Sequence, residues 1–418
     1  MKTKNVVLVG IAVCAISLLL ISPVLANEDD FVLDIYGNAN EDDTIDGQDV
    51  VYIKLIIFGK RDVTQLADAC YDEEIDVGDI IQTKLIILGR EGKLTIIDGT
   101  DRTVTLNMPI DRIASSSMPQ DIRRICALGA ADKIVGVPDV IIDEADRFPA
   151  IYMPYPELLE LPIAGSVYFG GPYLEVIASL EPDLVIVSYA DADAVQEAVG
   201  VPTITTPAMD MKALAFKGFK WFRMMGYVLG EQERAEELNS YFNDKLDEVR
   251  DVTSEIDDKP GVYLAFWTDY TYTPATYAPV EVAGGINVAE DPGTYGPYGP
   301  FMWQVSKEQI IAWQPDIILI HSYVPTKHMI LKEDILTDPD LQSIPAVDTG
   351  EVYYTKGFQF GWDPATGVIE CFYMAKLFHS DEFAGVDIEE VGNEILEEVY
   401  GADGIWTEMT ALFELYTW

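Results

Sequence analysis

The sequence predicts an α/β protein: two lobes joined by one long helix, preceded by a small all-α module. Three observations carry this. An acidic loop followed by an apolar helix occurs twice near the N-terminus. Short apolar strands alternate with helical segments from Arg112 onward, and the alternation restarts after Pro260. Between those two runs lies one long stretch of helical periodicity.

The repeat comes first in the chain. Asn38-Ala-Asn40-Glu-Asp42-Asp-Thr44-Ile45-Asp46-Gly-Gln-Asp49 precedes VVYIKLIIFG, and Asp68-Ala-Cys70-Tyr-Asp72-Glu-Glu74-Ile75-Asp76-Val-Gly-Asp79 precedes IIQTKLIILG. Lys54/Lys84, Leu55/Leu85, Ile56/Ile86, Ile57/Ile87 and Gly59/Gly89 coincide. Calcium takes six to eight oxygens from such a loop, including one backbone carbonyl. The first loop offers Asn38, Asn40, Asp42, the Thr44 carbonyl, Asp46 and Asp49 as ligands; the second offers Asp68, Asp72, the Glu74 carbonyl, Asp76 and Asp79. Ile45 and Ile75 pin the loops to a core. The pattern resembles a dockerin type I module, which ends each loop in Asp, binds Ca2+ and engages a cohesin partner. Two features depart from it. Asp43 and Glu73 stand where Gly is usual for the sharp turn, and Cys70 is a poor calcium ligand. Two helix N-caps on solvated acidic loops are the plainer reading.

Residues 1–26 read as a secretory signal, with Lys2 and Lys4 ahead of VVLVGIAVCAISLLLIS and a small-residue site at Val24-Leu25-Ala26. An uncleaved N-terminal anchor is the alternative. Both place the protein outside the cell, secreted or surface-associated. The formal charge is −44, and losing Lys2 and Lys4 makes it −46. So acidic a chain is unsuited to nucleic acid or to an anionic membrane surface. Cys70, Cys126 and Cys371 are few and scattered, so no disulfide framework is implied. The about 320 residues after the repeats suit two domains. The division is a module at 27–93, a first lobe at 94–210, a linking helical segment at 211–258 and a second lobe at 259–418.

Within the lobes, LTIIDGTDRTVTL reads as a β-hairpin turning at Asp98-Gly99. RIASSS, KIVGVP, DLVIVS and VPTITT read as strands, with helices over QDIRRICALGA and from Tyr173 to Leu180. Met211 to Ile256 reads as the long helix, with an apolar stripe at Ala235, Leu238, Phe242, Leu246 and Val249. GVYLAFW, DIILIHS and EVYYT are the later strands; VEVAGGINVA, SKEQIIAW, Thr366–Phe378 and Ile388–Tyr400 are helical. The halves echo each other: Leu174-Glu175…Pro182-Asp183-Leu-Val-Ile186 matches Lys307-Glu308…Pro315-Asp316-Ile-Ile-Leu319. In each, Glu is favoured by the helix dipole and Pro stops the helix before a buried strand. Two Rossmann-like lobes follow.

From Leu94 onward the chain resembles the class III substrate-binding proteins of ABC importers, which capture iron–siderophore complexes, haem or cobalamin. The resemblance rests on Asp101–Leu106 with Arg112–Ser115, Glu175–Ile186, Glu281-Val-Ala283-Gly284-Gly285-Ile-Asn287, Val305–Leu319 and Ala375-Lys376-Leu-Phe378-His379, in the family's order. It implies an interlobe cleft, an iron-chelate, haem or corrinoid ligand, and docking to an ABC permease through Glu175 and Glu308. It implies no enzyme activity.

Ligands of open α/β sheets bind at the carboxyl ends of the strands. That rule selects Ser117, Met118, Tyr168, Phe169 and Tyr189 in the first lobe, and Trp267, Tyr270, Tyr295, Trp303, His321, Tyr323, Phe358 and Trp362 in the second. Aromatic rings on Gly/Pro-rich loops suit a flat, bulky ligand. His321 alone of the three histidines follows a predicted strand end, where it could reach a metal, although a hydrogen-bonded structural histidine is commoner. Basic candidates are few, chiefly Lys327 and Lys356, which favours a neutral or cationic chelate or a corrinoid. An adhesive surface protein acting through the module, and a metal-processing enzyme on a related fold, are the competing readings. No Gly-rich phosphate loop, GxSxG elbow or HExxH motif is present.

Overall fold

The computed structural model describes residues 31–167, 170–188, 192–206, 220–266, 268–289, 302–321, 330–356 and 364–413. The module supplies α1 (Gly47–Ile57) and α2 (Val77–Ile87). Each starts at an Asp N-cap, Asp46 or Asp76, whose side chain accepts from a first-turn amide, while Asp49 or Asp79 reaches back to the cap.

A hairpin follows, β1 (Lys93–Ile97) with β2 (Thr103–Asn107). The first lobe then runs β3 (Ile113–Ser115), α3 (Pro119–Ala127), β4 (Ile134–Pro138), α4 (Asp139–Asp143), α5 (Pro149–Tyr152), β5 (Ile163–Ser166), β6 (Gly171–Pro172), α6 (Leu174–Ser179), β7 (Leu184–Val187), α7 (Ala192–Val199) and β8 (Thr203–Thr205). Its six strands are ordered β6-β5-β4-β3-β7-β8, all parallel except β6.

The linking segment departs from the single long helix expected over 211–258. Residues 211–219 lie outside the described residues, and the rest forms two helices, α8 (Lys220–Leu229) and α9 (Gln232–Thr253). Gly230 takes φ +74 between them, and α8 packs back against α9. A Cβ on Gly226 would stand 2.6 Å from the Ala235 methyl, so this hairpin closes on a glycine. Periodicity carries through the turn because both helices bury one face in the same core, and so the break is hidden from it.

The second lobe holds β9 (Gly261–Ala265), β10 (Tyr272–Thr273), α10 (Ala278–Val282), β11 (Ile286–Asn287), β12 (Trp303–Gln304), α11 (Lys307–Trp313), β13 (Ile317–His321), α12 (Lys332–Leu336), α13 (Pro345–Thr349), β14 (Val352–Thr355), α14 (Pro364–Phe378), α15 (Ile388–Tyr400) and α16 (Ile405–Phe413). Its main sheet is fully parallel, in the order β11-β9-β13-β14. The expected helix over VEVAGGINVA is only the short α10, and its Ile-Asn becomes an edge strand. The C-terminal helices return to the first lobe, where the Tyr152 hydroxyl on α5 donates to Glu408 on α16 at 3.0 Å, and to the linking segment, where Arg234 of α9 pairs with Glu398 of α15.

The echoed Pro-Asp pairs have a shared task. Asp183 accepts from the backbone amides of Asp111 and Arg112, just before β3, at 3.0 and 2.9 Å. Asp316 accepts from the Gly261 amide, at the start of β9, at 2.8 Å. In each lobe this Asp clamps the entry of the neighbouring parallel strand. The helix before it ends on a left-handed residue, Glu181 or Gln314, ahead of the Pro.

The module is built into the first lobe. Leu33, Ile35, Ile45 and Ile86 are at most 5% exposed and share one core with Leu94, Ile96 and Leu106. Ile35 bridges Ile96, and the Tyr36 amide donates to Thr95 at 2.9 Å. Three residues on one side of α8 hold the module as well: Lys220 pairs with Asp34, Arg223 with Asp43, and the Tyr227 hydroxyl donates to the Ile45 carbonyl.

Candidate functional site

In the first sheet the chain runs to one side from β3 through β4 and β5, and to the other through β7 and β8. The second sheet diverges the same way between β9 and β13. Parallel sheets open a crevice at such switch points, at the carboxyl ends of the strands. Those ends here are Ser116–Met118 and Thr206 in the first lobe, and Phe266, His321 and Lys356 in the second.

The first switch point is organised by Asp121, in the first turn of α3. The Ser117 hydroxyl donates to Asp121 Oδ2, and the Thr206 hydroxyl donates to the same oxygen at 2.6 Å. Arg124 Nη1 donates to Oδ1 at 2.7 Å. All four residues are buried. Met118 is the N-cap residue of α3 and is also buried. Ser116 lies against β5: a Cβ on Gly165 would fall 2.5 Å from the Ser116 Cβ, so only glycine lets the strand approach it.

The second switch point has the same design. The Thr355 hydroxyl, at the end of β14, donates to Glu370 Oε2 on α14. The Lys356 amide donates to Glu370 Oε1 at 3.0 Å, and the Tyr277 hydroxyl reaches Oε2 at 3.5 Å. His321 pairs with Thr355 in register and meets the Phe266 ring edge-on at 4.8 Å. Burial, then the Lys356 charge, lowers the His321 imidazole to about 3, so the ring is neutral at pH 7.

Of the thirteen residues selected from the sequence, Tyr168, Phe169, Tyr189, Trp267, Tyr295, Tyr323, Phe358 and Trp362 lie outside the described residues. Ser117, Met118 and His321 stand at the switch points. Tyr270 and Trp303 are engaged by α11 instead. The Tyr270 hydroxyl donates to Asp338 at 2.5 Å beside Lys307, and Trp303 meets Trp313 edge-on at 6.0 Å. Asp121, Thr206, Tyr277, Thr355 and Glu370 were not selected. Only the Ser117–Asp121 pair, four residues apart at a helix start, left a local signal. Glu175 and Glu308 are both exposed, in the first turns of α6 and α11.

In the module, the buried Asp49 carboxyl accepts from the Asn40 and Asp46 amides at 3.1 and 2.8 Å. Asp79 repeats this with Cys70 and Asp76 at 3.0 and 2.8 Å. Burial pushes Asp49 up to about 6, with the Asp42 and Asp46 charges adding to it and the two amides opposing. Asn38, Asn40, Asp42 and Thr44 close the first loop, and Asp68, Asp72 and Glu74 the second, through hydrogen bonds of their own. Glu73 takes the left-handed backbone that Gly would supply, at φ 72, whereas Asp43 does not and is held by Arg223. Among the described residues, no three His, Cys, Asp or Glu side chains stand together as a metal site.

A model of the periplasmic binding protein family matches residues 121–357. This chain belongs to that family. The molybdate-binding protein MolA of Haemophilus influenzae is 25% identical over 335 residues, spanning 73% of this chain and 90% of that protein. The structure of MolA bound to molybdate superposes with a TM-score of 0.60 at 20% identity, covering 74% of this chain and 98% of that one. A periplasmic solute-binding protein from Veillonella parvula gives 0.57 at 22% identity, covering 77% and 96%. CeuE of Helicobacter pylori, as a Ni-His complex, gives 0.56 at 18%, covering 78% and 100%. The chain is thus a solute-binding component of an ABC transporter, of the kind that delivers small ligands to a permease, and not an enzyme. No helix among the described residues is long and apolar enough to cross a membrane.

Proposed function

We propose that this periplasmic binding protein captures a metal-centred small molecule between the carboxyl edges of its two sheets and presents it to an ABC permease. The observation that carries this is the matched pair of switch points, Ser117–Asp121–Thr206 facing one edge and His321–Thr355–Glu370 the other. The candidate ligands are a ferric siderophore, haem, a corrinoid, a nickel–histidine complex of the kind seen with CeuE, or molybdate as in MolA. Glu175 and Glu308 would meet permease arginines, because both are exposed at equivalent places in the two lobes. In proteoliposomes holding the cognate permease, Glu175→Ala with Glu308→Ala is expected to cut ligand-driven uptake at least tenfold while leaving ligand affinity within twofold. Unchanged uptake would remove the docking role.

The first acidic loop is proposed as a calcium site on Asn38, Asn40, Asp42, the Thr44 carbonyl, Asp46 and Asp49, and the second as a weaker one on Asp68, Asp72, Glu74, Asp76 and Asp79. The support is Asp49, a buried carboxyl with two acidic neighbours whose repulsion a cation would relieve. Calcium would tie the loop to α1 and so to the core that Ile45 enters. At a hundredfold excess over Kd it should stabilise the fold by about 2.7 kcal/mol. Thermal unfolding in EDTA, and again with added Ca2+, reads this, and identical midpoints would dispose of the site. A cohesin-like partner is not required by this reading, since the module already has a partner in its own lobe.

A further inference from the structure

The two matching glutamates do not stand in matching surroundings. In the first lobe Glu175 follows Tyr173 and Leu174; in the second, Glu308 follows Ser306 and Lys307. Among the described residues from 94 to 210, Tyr173 and Leu174 are the only large apolar side chains that are exposed, each at 40%. They are consecutive, and they abut the glutamate that the proposed function sets against the permease. Exposed apolar residues scattered singly mean nothing, but a pair beside a docking charge marks a surface meant to be covered.

The fold holds this pair in place. The Tyr173 amide donates to the Ala164 carbonyl of β5 at 2.8 Å, and the Tyr173 carbonyl accepts from the Ile177 amide at 2.9 Å. Ile177 is fully buried and roots α6 in the core of the lobe with Ala164. Gly170 and Gly171 turn the chain into β6 at φ +108 and +62, and a Cβ on Gly170 would stand 3.7 Å from the Tyr173 ring. The ring therefore sits on that turn. Among the described residues, the side chains of Tyr173 and Glu175 make no hydrogen bond or ion pair.

The equivalent residues of the second lobe are already engaged. Ser306 caps α11, its hydroxyl oxygen accepting from the Gln309 amide at 3.2 Å. Lys307 pairs with Asp338 at 2.6 Å and Asp340 at 3.3 Å, and lies over the Tyr270 ring. The exposed large apolar residues of that lobe are Ile286, in β11, and Leu331, just before α12, so neither belongs to the helix of Glu308.

We infer that the permease is gripped unequally: Tyr173 and Leu174 form an apolar anchor that seats on an apolar shelf of the permease beside the arginine facing Glu175, whereas Glu308 meets its arginine by charge alone. The inference rests on the permease docking proposed above and adds to it the residues that keep the complex together. Tyrosine is among the side chains that dominate interface energies once they are desolvated. A ring already seated on its own backbone loses little freedom on docking. An exposed charge at the rim acts chiefly on the association rate and on its salt dependence.

Binding kinetics of residues 27–418 on the cognate permease in nanodiscs, measured at about 0.1 M and again at about 0.5 M salt, test it. Tyr173→Ala with Leu174→Ala is expected to raise the dissociation rate at least tenfold, to leave the association rate within twofold, and to keep that effect at the higher salt. Glu308→Ala is expected to slow association at least threefold at low salt and to lose the effect at high salt. Circular dichroism of each variant checks the fold. If the double variant is altered, Leu174→Gln alone replaces it, with at least a threefold faster dissociation expected. A dissociation rate within twofold of the wild type would overturn the anchor and leave docking through the glutamates standing. A loss that vanishes at high salt would overturn it as well, by showing that the pair serves the charge of Glu175. A wild type that does not bind the permease would remove the docking itself, and the anchor would fall with it.

Discussion

A chain that starts at Lys93 is expected to unfold rather than behave as a solute-binding protein relieved of an accessory. Leu33, Ile35, Ile45 and Ile86 are each at most 5% exposed, and their neighbours Leu94 and Ile96 are fully buried beneath them. Burying a side chain of this size is worth about 1.5–3 kcal/mol, so the four together contribute on the order of 6–12 kcal/mol, an upper bound. A whole domain has about 5–15 kcal/mol of net stability. The loss also exposes one face of β1 and strips α8 of Asp34, Asp43 and the Ile45 carbonyl. The ion pairs count for little in this sum, because they are partly exposed. Circular dichroism and thermal unfolding of residues 93–418 against 27–418 decide the matter. Equal midpoints would make the module an independent bead and would reopen recruitment of an outside partner.

The second large effect is acid sensitivity centred on His321. An unfolded histidine titrates near 6.5, whereas burial holds the folded ring down at about 3. Between those values the unfolded chain binds more protons than the folded one. Stability therefore rises with pH across that window, and it is lost as pH falls from 6.5 toward 3. At about 1.36 kcal/mol per pH unit, the full window costs on the order of 4–5 kcal/mol. His321→Phe keeps an aromatic ring against Phe266 and removes the titration. Urea unfolding at pH 7 and pH 4.5 should show the wild type losing about 2–3 kcal/mol more than this variant. Equal losses in both would mean that the imidazole is not what acid attacks.

The lobes were legible in the sequence because their signals are local. A Glu in the first helical turn, a Pro after the last, and an unbroken apolar strand are consequences of dipole, backbone and burial, and Glu175–Ile186 and Glu308–Leu319 show all three. The Asp after each Pro was read as part of a break. Its clamp on Arg112 or on Gly261 spans more than fifty residues and could not be seen. The helix expected through 211–258 failed at Gly230 for a related reason. Both α8 and α9 present an apolar face to one core, so periodicity reports burial and is blind to the turn.

The candidate site divides along the same line. Ser117, Met118 and His321 were reachable because strand ends follow from alternation and ligands gather there. Tyr270 and Trp303 share that neighbourhood in sequence, yet Lys307 and Trp313 of α11 engage them, with Asp338, just past α12, accepting from the Tyr270 hydroxyl. Glu370 gave no sign at all. It is a mid-helix acid fifteen residues past Thr355, and only the packing of α14 against β14 makes it the acceptor for that hydroxyl.

The sequence by itself determined the repeat with its acidic ligand-type loops, the two α/β lobes, the carboxyl ends of several of their strands and the pair of glutamates in the first turns of matching helices, since each follows from residue order over a few turns. The tertiary structure decided that the module shares the core of the first lobe, that the linker folds back on itself, and which way the hydroxyl protons at the two carboxyl edges point. Those are set by contacts between residues far apart in the chain, where the spacing of residue types carries no information about which surfaces meet.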